Sequence, residues 1–183
     1  MNSTTTTYMR RRWFVFGGLA ILIVVGDQLT KLWVDAGFAR ASAHGAGAGL
    51  AAPTPILGEF VRIAKSYNDG GLFGLFGAAA PVLALASVAV IGVLIYTQWK
   101  TGSEATILTT TALGLLLGGA LGNFVDRIRL GFVIDWVDMG IGDLRWYTFN
   151  VADAAISLSI IGLVLAAFLP QRPPRSKPVE AGR

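Results

Sequence analysis

The sequence predicts an all-α polytopic membrane protein, with four transmembrane helices and a small β-rich loop region outside the cytoplasm. Three observations lead there. Hydrophobic residues make up 54% of the 183-residue chain and charged ones only 14%, where soluble domains carry about a quarter charged residues. Four runs almost free of charge are each long enough to cross a bilayer. Between the last two runs, residues 122–153 carry five aspartates: Asp126, Asp135, Asp138, Asp143 and Asp153. Carboxylates at a bilayer edge are costly, so this stretch asks for a chemical role.

The elements follow in order. Residues 1–12 form a cytoplasmic tail, and its Ser/Thr-rich first nine residues are expected to be disordered. Arg10, Arg11 and Arg12 precede the first apolar run, residues 13–34. That run is too long for a signal peptide and lacks a clean small-residue cleavage site, so it reads as an uncleaved membrane helix. Asp27 and Lys31 lie in its last third on one helical face, being four residues apart. Residues 35–71 form a loop whose 41–52 portion is Gly/Ala-rich and irregular. Partial alternation over residues 56–67 predicts a short strand outside the bilayer. The Asn68-Asp69-Gly70-Gly71 sequence signals a turn.

A second span starts near Ala78 and runs to Trp99, residues 100–104 turn the chain, and residues 105–125 form a third span. The aspartate-rich stretch follows as a loop. Asn150 opens a fourth span that ends near Leu169, so residues 13–169 constitute the membrane domain. Pro170, Pro173 and Pro174 then lead into a basic tail, residues 170–183. Trp33, Trp99, Trp136 and Trp146 fall near span ends, where indole rings favour the interface.

Four spans put both termini on one side. Lysine and arginine number eight on that side (Arg10, Arg11, Arg12, Lys100, Arg172, Arg175, Lys177 and Arg183) and seven on the other. The raw count barely discriminates; the arginine triplet abutting the first span places the termini in the cytoplasm. The net charge of +4 suits an anionic membrane surface. No basic-aromatic cluster points to nucleic acid.

This topology gathers polar groups at one bilayer face. Asp27 and Lys31 sit near the end of the first span, about 21 Å along a helix that starts at Trp13. Asn68 precedes the second span; Asn123, Asp126 and Arg127 close the third; Asn150 and Asp153 open the fourth. Each has a structural reading as well. Asn150 with Asp153 is the pattern of a helix cap and its reciprocal partner, Asp27 with Lys31 that of an ion pair, and Asp126 with Arg127 that of a loop-end salt bridge. Their convergence at one depth is what distinguishes a site from scatter.

Elimination narrows the chemistry. Cysteine is absent and His44, the sole histidine, lies in the Gly/Ala-rich loop. Thiol nucleophiles, zinc sites and serine-histidine triads therefore lack their parts, and neither metal nor organic cofactor is expected. Carboxylates remain. Two of them a few ångströms apart share a proton, giving an acid and a base suited to water attack on an amide. A proton-coupled transporter is the rival reading, but internal repeats and broken spans are missing from the sequence. A membrane scaffold is the third, and it leaves the loop aspartates without a role.

Five motifs in order carry a resemblance: Asp27-Gln-Leu-Thr-Lys31; Asn68-x-Gly70-x-x-Phe73-Gly74; Gly122-Asn123-x-x-Asp126-Arg127; Gly131-x-Val133-x-Asp135-Trp136; and Phe149-Asn150-x-Ala152-Asp153. The chain resembles the lipoprotein signal peptidases (signal peptidase II), aspartic peptidases of the bacterial inner membrane. The resemblance implies a catalytic dyad of Asp135 and Asp153. Asp27, Lys31, Asn68, Gly70, Asn123, Asp126, Arg127 and Asn150 would support the site or bind substrate. It implies cleavage of diacylglyceryl-modified prolipoproteins just before the modified cysteine, at the outer leaflet, and inhibition by globomycin-type cyclic peptides. A monomer in contact with membrane lipid is expected.

Asp153, in the first turn of a helix, faces the positive end of the helix dipole and should ionise the more readily of the two. Asp138 and Asp143 have no part in the dyad, and replacing either by Asn is expected to be far milder for cleavage than replacing Asp135 or Asp153. Trp136 stands where the family commonly has Phe, while residues 41–54 and 140–145 look longer than usual. The loop around residues 45–49 is a candidate gate over the lipid-side entrance.

Overall fold

The computed structural model describes residues 3–41, 50–70, 80–101 and 105–168. The Gly/Ala-rich loop with His44, the Phe73-Gly74 pair and the C-terminal tail lie outside the described residues. Among the described residues, four helices are long and apolar enough to cross a membrane: α1 (Ser3–Gly37), α2 (Ala80–Thr101), α3 (Ile107–Leu130) and α4 (Val151–Phe168). Four short strands form one antiparallel sheet in the order β1 (Thr54–Leu57), β2 (Val61–Asn68), β3 (Val133–Ile141) and β4 (Leu144–Arg145).

α1 begins at Ser3 rather than Trp13, so the disorder expected of residues 1–9 is corrected over residues 3–9. The threonines there are weak helix formers, but extending a helix that already exists costs far less than nucleating one. α3 reaches Leu130, which places Asp126 and Arg127 within the helix instead of at a loop. Thr106 caps its start by accepting from the Thr109 N–H at 3.1 Å, and Gly131 ends it in the left-handed conformation at φ 79°. Only a residue without a Cβ adopts that cap freely.

α3 is the centre of the bundle. Of its most apolar window 56% is buried, against 17–22% for the other three helices, whose outer faces are left for lipid. Glycine makes this possible. A Cβ on Gly118 would come within 2.9 Å of the Ala20 carbonyl on α1, and one on Gly119 within 2.5 Å of the Ala152 carbonyl on α4. Without a hydrophobic force between helices in lipid, such close backbone approach supplies the packing. Gly114 meets Phe16 and Gly122 meets Asp27, so α1 and α3 run in the same direction. Phe16, Ala20, Leu94, Leu113 and Leu117 form the apolar core.

The stretch expected as an aspartate-rich loop holds β3 and β4. Its strand character is hidden because Asp135 and Asp138, both buried, are three residues apart and break the two-residue period of a strand. The structure resolves this with a bulge. The N–H groups of Trp136 and Val137 both donate to the Phe149 carbonyl, at 3.0 and 2.8 Å, so two residues oppose one. A bulge resets the alternation and is a common way to aim a side chain beside a site.

Candidate active site

Six buried polar groups, Asp27, Lys31, Asn123, Asp126, Asp135 and Asn150, converge where the C-terminal end of α1, the C-terminal half of α3, the start of β3 and the first turn of α4 meet. Lys31 is the innermost. Its Nζ lies 2.8 Å from Asp27 Oδ2, 2.8 Å from Asp126 Oδ2 and 3.1 Å from Asn123 Oδ1. Three ammonium protons thus meet three acceptors, which is what a buried lysine requires. Asp27 Oδ1 accepts from the Ala152 N–H of α4 at 3.0 Å, and Asp126 Oδ2 accepts from the Ile134 N–H of β3 at 3.2 Å. One lysine therefore ties three helices and the sheet. Gly122 admits this cluster, since a Cβ there would stand 2.7 Å from Asp27 Oδ2.

Asn123 passes the order outward. Its carbonyl oxygen accepts from Lys31 and, at 3.1 Å, from Asn150 Nδ2, while its Nδ2 donates to Asp153 Oδ1 at 2.7 Å. Asn150 and Asp153 make the reciprocal helix cap. The Asp153 N–H donates to Asn150 Oδ1 at 2.9 Å, and the Asn150 N–H donates to Asp153 Oδ2 at 3.3 Å. The same Asn150 reaches across to β3, donating from Nδ2 to Asp135 Oδ1 at 2.7 Å. Asn68, at the end of β2, donates to Asp135 Oδ2 at 3.0 Å and is itself held by the Gly70 N–H at 2.9 Å. Gly70 takes φ 83°, which makes that turn a glycine position.

Asp135 and Asp153 are thus presented by different elements and joined through one buried amide. Burial, and then the neighbouring charge of Asp153, push the Asp135 carboxyl up to about 7. A carboxylic acid that titrates near neutrality beside a second carboxylate is the arrangement for an acid and a base in one site.

The structure brings nine of the ten sequence-predicted site residues into this network through their side chains or charge fields, and Gly70 through its backbone. The expected Asp27–Lys31 pair forms. Asp126 pairs with Lys31 rather than with Arg127. Arg127 donates to the Asn123 carbonyl at 3.3 Å and feels the charges of Asp153, Asp135 and Asp126.

Two features escaped the sequence reading. Gln28 donates from Nε2 to Asp126 Oδ1 at 2.8 Å and to the Gly122 carbonyl at 3.3 Å, buttressing the lysine cluster. Its place inside the Asp27–Lys31 motif was the available signal. Asp138 is fully buried between Arg62 and Arg145, at 2.7 and 2.9 Å, an ion-pair role that the sequence reading did not assign to it. Asp143 is exposed.

Comparison with known proteins bears directly on this geometry. A family model described as Signal peptidase (SPase) II matches residues 19–169. The chain belongs to the signal peptidase II family. Among curated relatives, the lipoprotein signal peptidase of Anaplasma phagocytophilum is 35% identical over 149 residues, covering 79% of this chain and 86% of that one. The lipoprotein signal peptidase of Methylorubrum extorquens is 35% identical over 164 residues, covering 86% and 88%.

Two solved structures, each described as a bacterial membrane enzyme, share the fold. One has a TM-score of 0.70 at 23% identity, covering 82% of this chain and 90% of its own. The other has a TM-score of 0.68 at 24% identity, covering 81% and 84%. The family span takes in α1 from Leu19 onward, the other three helices and the sheet, so every residue of the network lies within it.

Proposed function

We propose that this chain removes the signal peptide from prolipoproteins, hydrolysing the peptide bond just before the diacylglyceryl-modified cysteine with Asp135 and Asp153 as its catalytic dyad. The observation that carries the reading is Asn150, one buried residue that holds both carboxylates: its side-chain amide donates to Asp135 and its backbone N–H donates to Asp153. Family membership supplies the substrate class.

Asp153, ionised at the start of α4, takes a proton from water as its oxygen bonds to the scissile carbonyl carbon. Asp135, protonated, donates a hydrogen bond to the carbonyl oxygen where negative charge develops. Collapse of the tetrahedral intermediate breaks the C–N bond, and the proton collected from water leaves on the cysteine amine. Asn123 and Asn68 hold the two carboxylates from the far side, and the cluster around Lys31 fixes Asn123. Arg127, near both, orients the substrate backbone.

The enzyme acts as a monomer in the bacterial inner membrane, with termini in the cytoplasm and the dyad at the outer leaflet. The supporting observation is that all the network residues sit at the bundle end opposite Arg10–Arg12. With a chain free of cysteine, an impermeant thiol reagent should label Ala46→Cys in intact cells and spare Ser103→Cys. The reverse pattern would invert the topology. Globomycin-type cyclic peptides should compete at the dyad.

The decisive experiment is cleavage of a lipidated precursor by Asp135→Asn and Asp153→Asn proteins. Both changes are nearly isosteric and should abolish turnover in folded protein. Substantial turnover by either removes that residue from the dyad.

A further inference from the structure

The outer lip of the sheet is built inside out. Asp138 is fully buried, and the arginines that hold it are turned inward, with side chains 3% (Arg145) and 17% (Arg62) exposed. Arg145 also donates to the Glu59 carbonyl at 2.7 Å, and the Gly140 N–H donates to the Phe60 carbonyl at 3.0 Å, which fastens the β1–β2 turn to β3 and β4. The residues turned outward at the same lip are Leu57, Ile141, Leu144, Trp146 and Tyr147, all between 67% and 83% exposed. A hairpin folded against water does the opposite, burying its apolar side chains and exposing its charges.

The register shows why. Leu57 pairs with Val61, Val61 with Met139, and Ile141 with Leu144. Directly opposed residues share a face, and Val137, Met139 and Ile141 alternate onto it. Arg62 pairs with Asp138 and Gly140 with Arg145, which sets the charged cluster on the other face. The apolar face starts under cover, where Ile63 opposite Val137 is 2% exposed, and emerges toward the turn.

We propose that this apolar lip beds in the bilayer leaflet bordering the site, with Ile141 and Leu144 against acyl chains and Trp146 and Tyr147 at headgroup level. Lipid is the occupant for three reasons. Only Gly131 and Phe132 separate the end of α3 from the start of β3, so the sheet begins at the bilayer surface. The apolar surface is continuous with a lipid-facing helix: Trp33, exposed beside Leu29 and Leu32 on α1, meets Trp136 of β3 edge-on at 6.3 Å. Trp146 and Tyr147 pair an apolar ring with a polar tip, which suits a membrane interface.

The bedding is shallow, because Asp143 and Glu59 are exposed at the two turns and stay in water or among headgroups. Since Arg62 and Arg145 are committed to Asp138, the contact does not depend on lipid charge or on salt. If the proposed peptidase reading holds, the lip fixes the height of Asp135, six residues along the same strand, above a substrate held by its acyl chains.

The test uses the full chain in phosphatidylcholine bilayers, with single nitroxides on Ile141→Cys, Leu144→Cys and Asp143→Cys. At Ile141→Cys and Leu144→Cys, collisions with oxygen should exceed those with a water-soluble nickel chelate, and the ratio should be unchanged by salt. Asp143→Cys should show the reverse. Chelate access at Leu144→Cys equal to that at Asp143→Cys overturns the proposal. Shielding from both reagents, with spin-spin broadening that grows with protein-to-lipid ratio, means a second copy covers the lip and also overturns it. No catalytic activity is read, so the result stands apart from the proposed function.

Discussion

Asn123 ties Lys31 to Asp153: its carbonyl oxygen accepts from the ammonium at 3.1 Å and its amide nitrogen donates to the carboxylate at 2.7 Å. The lysine thereby fixes which way the amide points, and the amide fixes one oxygen of the Asp153 carboxylate, a member of the proposed dyad. Asn123→Asp should keep the acceptor facing Lys31 but set a second carboxylate against Asp153. A lost hydrogen bond to a charged group is worth about 1.5–3 kcal/mol, so cleavage should fall roughly 10- to 100-fold. Turnover of a lipidated precursor measures this, and an unchanged rate would show that the bridge does nothing for catalysis.

Lys31→Met probes the other end. Asp27 and Asp126 would remain buried without their shared cation. Breaking a buried ion pair from one side costs about 3–5 kcal/mol. A large drop in thermal unfolding temperature is expected in detergent or nanodiscs, together with lost cleavage. Wild-type stability would mean that the cluster is not what joins the helices.

The Asp135 carboxyl, pushed up to about 7 by burial and by Asp153, gives a signed pH prediction. Its folded value lies above its unfolded one, so the protonated form is favoured by folding. That contribution is present below the unfolded value, near 4, and is lost as pH rises through about 7. If the protonated form is the catalytic acid, turnover should decline over the same upper range. Asp153→Asn removes the neighbouring charge and should move the Asp135 titration to lower pH. The carboxyl stretch in infrared difference spectra reports it, and a shift to higher pH would refute the coupling.

Most of the site was legible because lipid makes polar residues conspicuous. Asp27, Lys31, Asn123 and Asp153 stand out in runs of Leu, Ile, Val and Ala, and helix periodicity puts them at one end. The resemblance then assigned Asp135 and Asp153 their roles. The sheet was half legible. The β2 alternation showed, whereas β3 was concealed by a bulge at Trp136 and Val137 that only the Phe149 carbonyl defines. Asp138 was unreadable for another reason. Its partners Arg62 and Arg145 come from different strands, and strand pairing is not visible in spacing alone.

That pairing makes Asp138 and Asp143 opposites. Asp138→Asn removes the buried counter-charge that two inward-facing guanidinium groups share, although Arg62 keeps the exposed Glu59. It should cost about 3–5 kcal/mol of stability, by the same logic as Lys31. Asp143→Asn, exposed at a turn, should stay within about 0.5 kcal/mol of the parent. Thermal unfolding of the two proteins side by side decides. Equal stability would mean that the arginine clamp contributes nothing.

The end of the bundle away from the site holds a cost that catalysis does not use. Gln98 on α2 is fully buried, and neither polar atom of its amide has a hydrogen-bond partner among the described residues. Thr110 on α3 is equally buried, and its hydroxyl is likewise unpartnered there. Gln98 lies three residues before the end of α2 and Thr110 three residues after the start of α3, so the short connection places them at one depth. An unsatisfied polar group of this kind costs about 1–3 kcal/mol, and replacing it by an apolar group of similar shape removes the cost. Gln98→Leu should therefore raise the unfolding temperature, Thr110→Val should raise it less, and both should leave cleavage of a lipidated precursor unchanged. A lower unfolding temperature for Gln98→Leu would show instead that the amide makes a stabilising bond in the membrane.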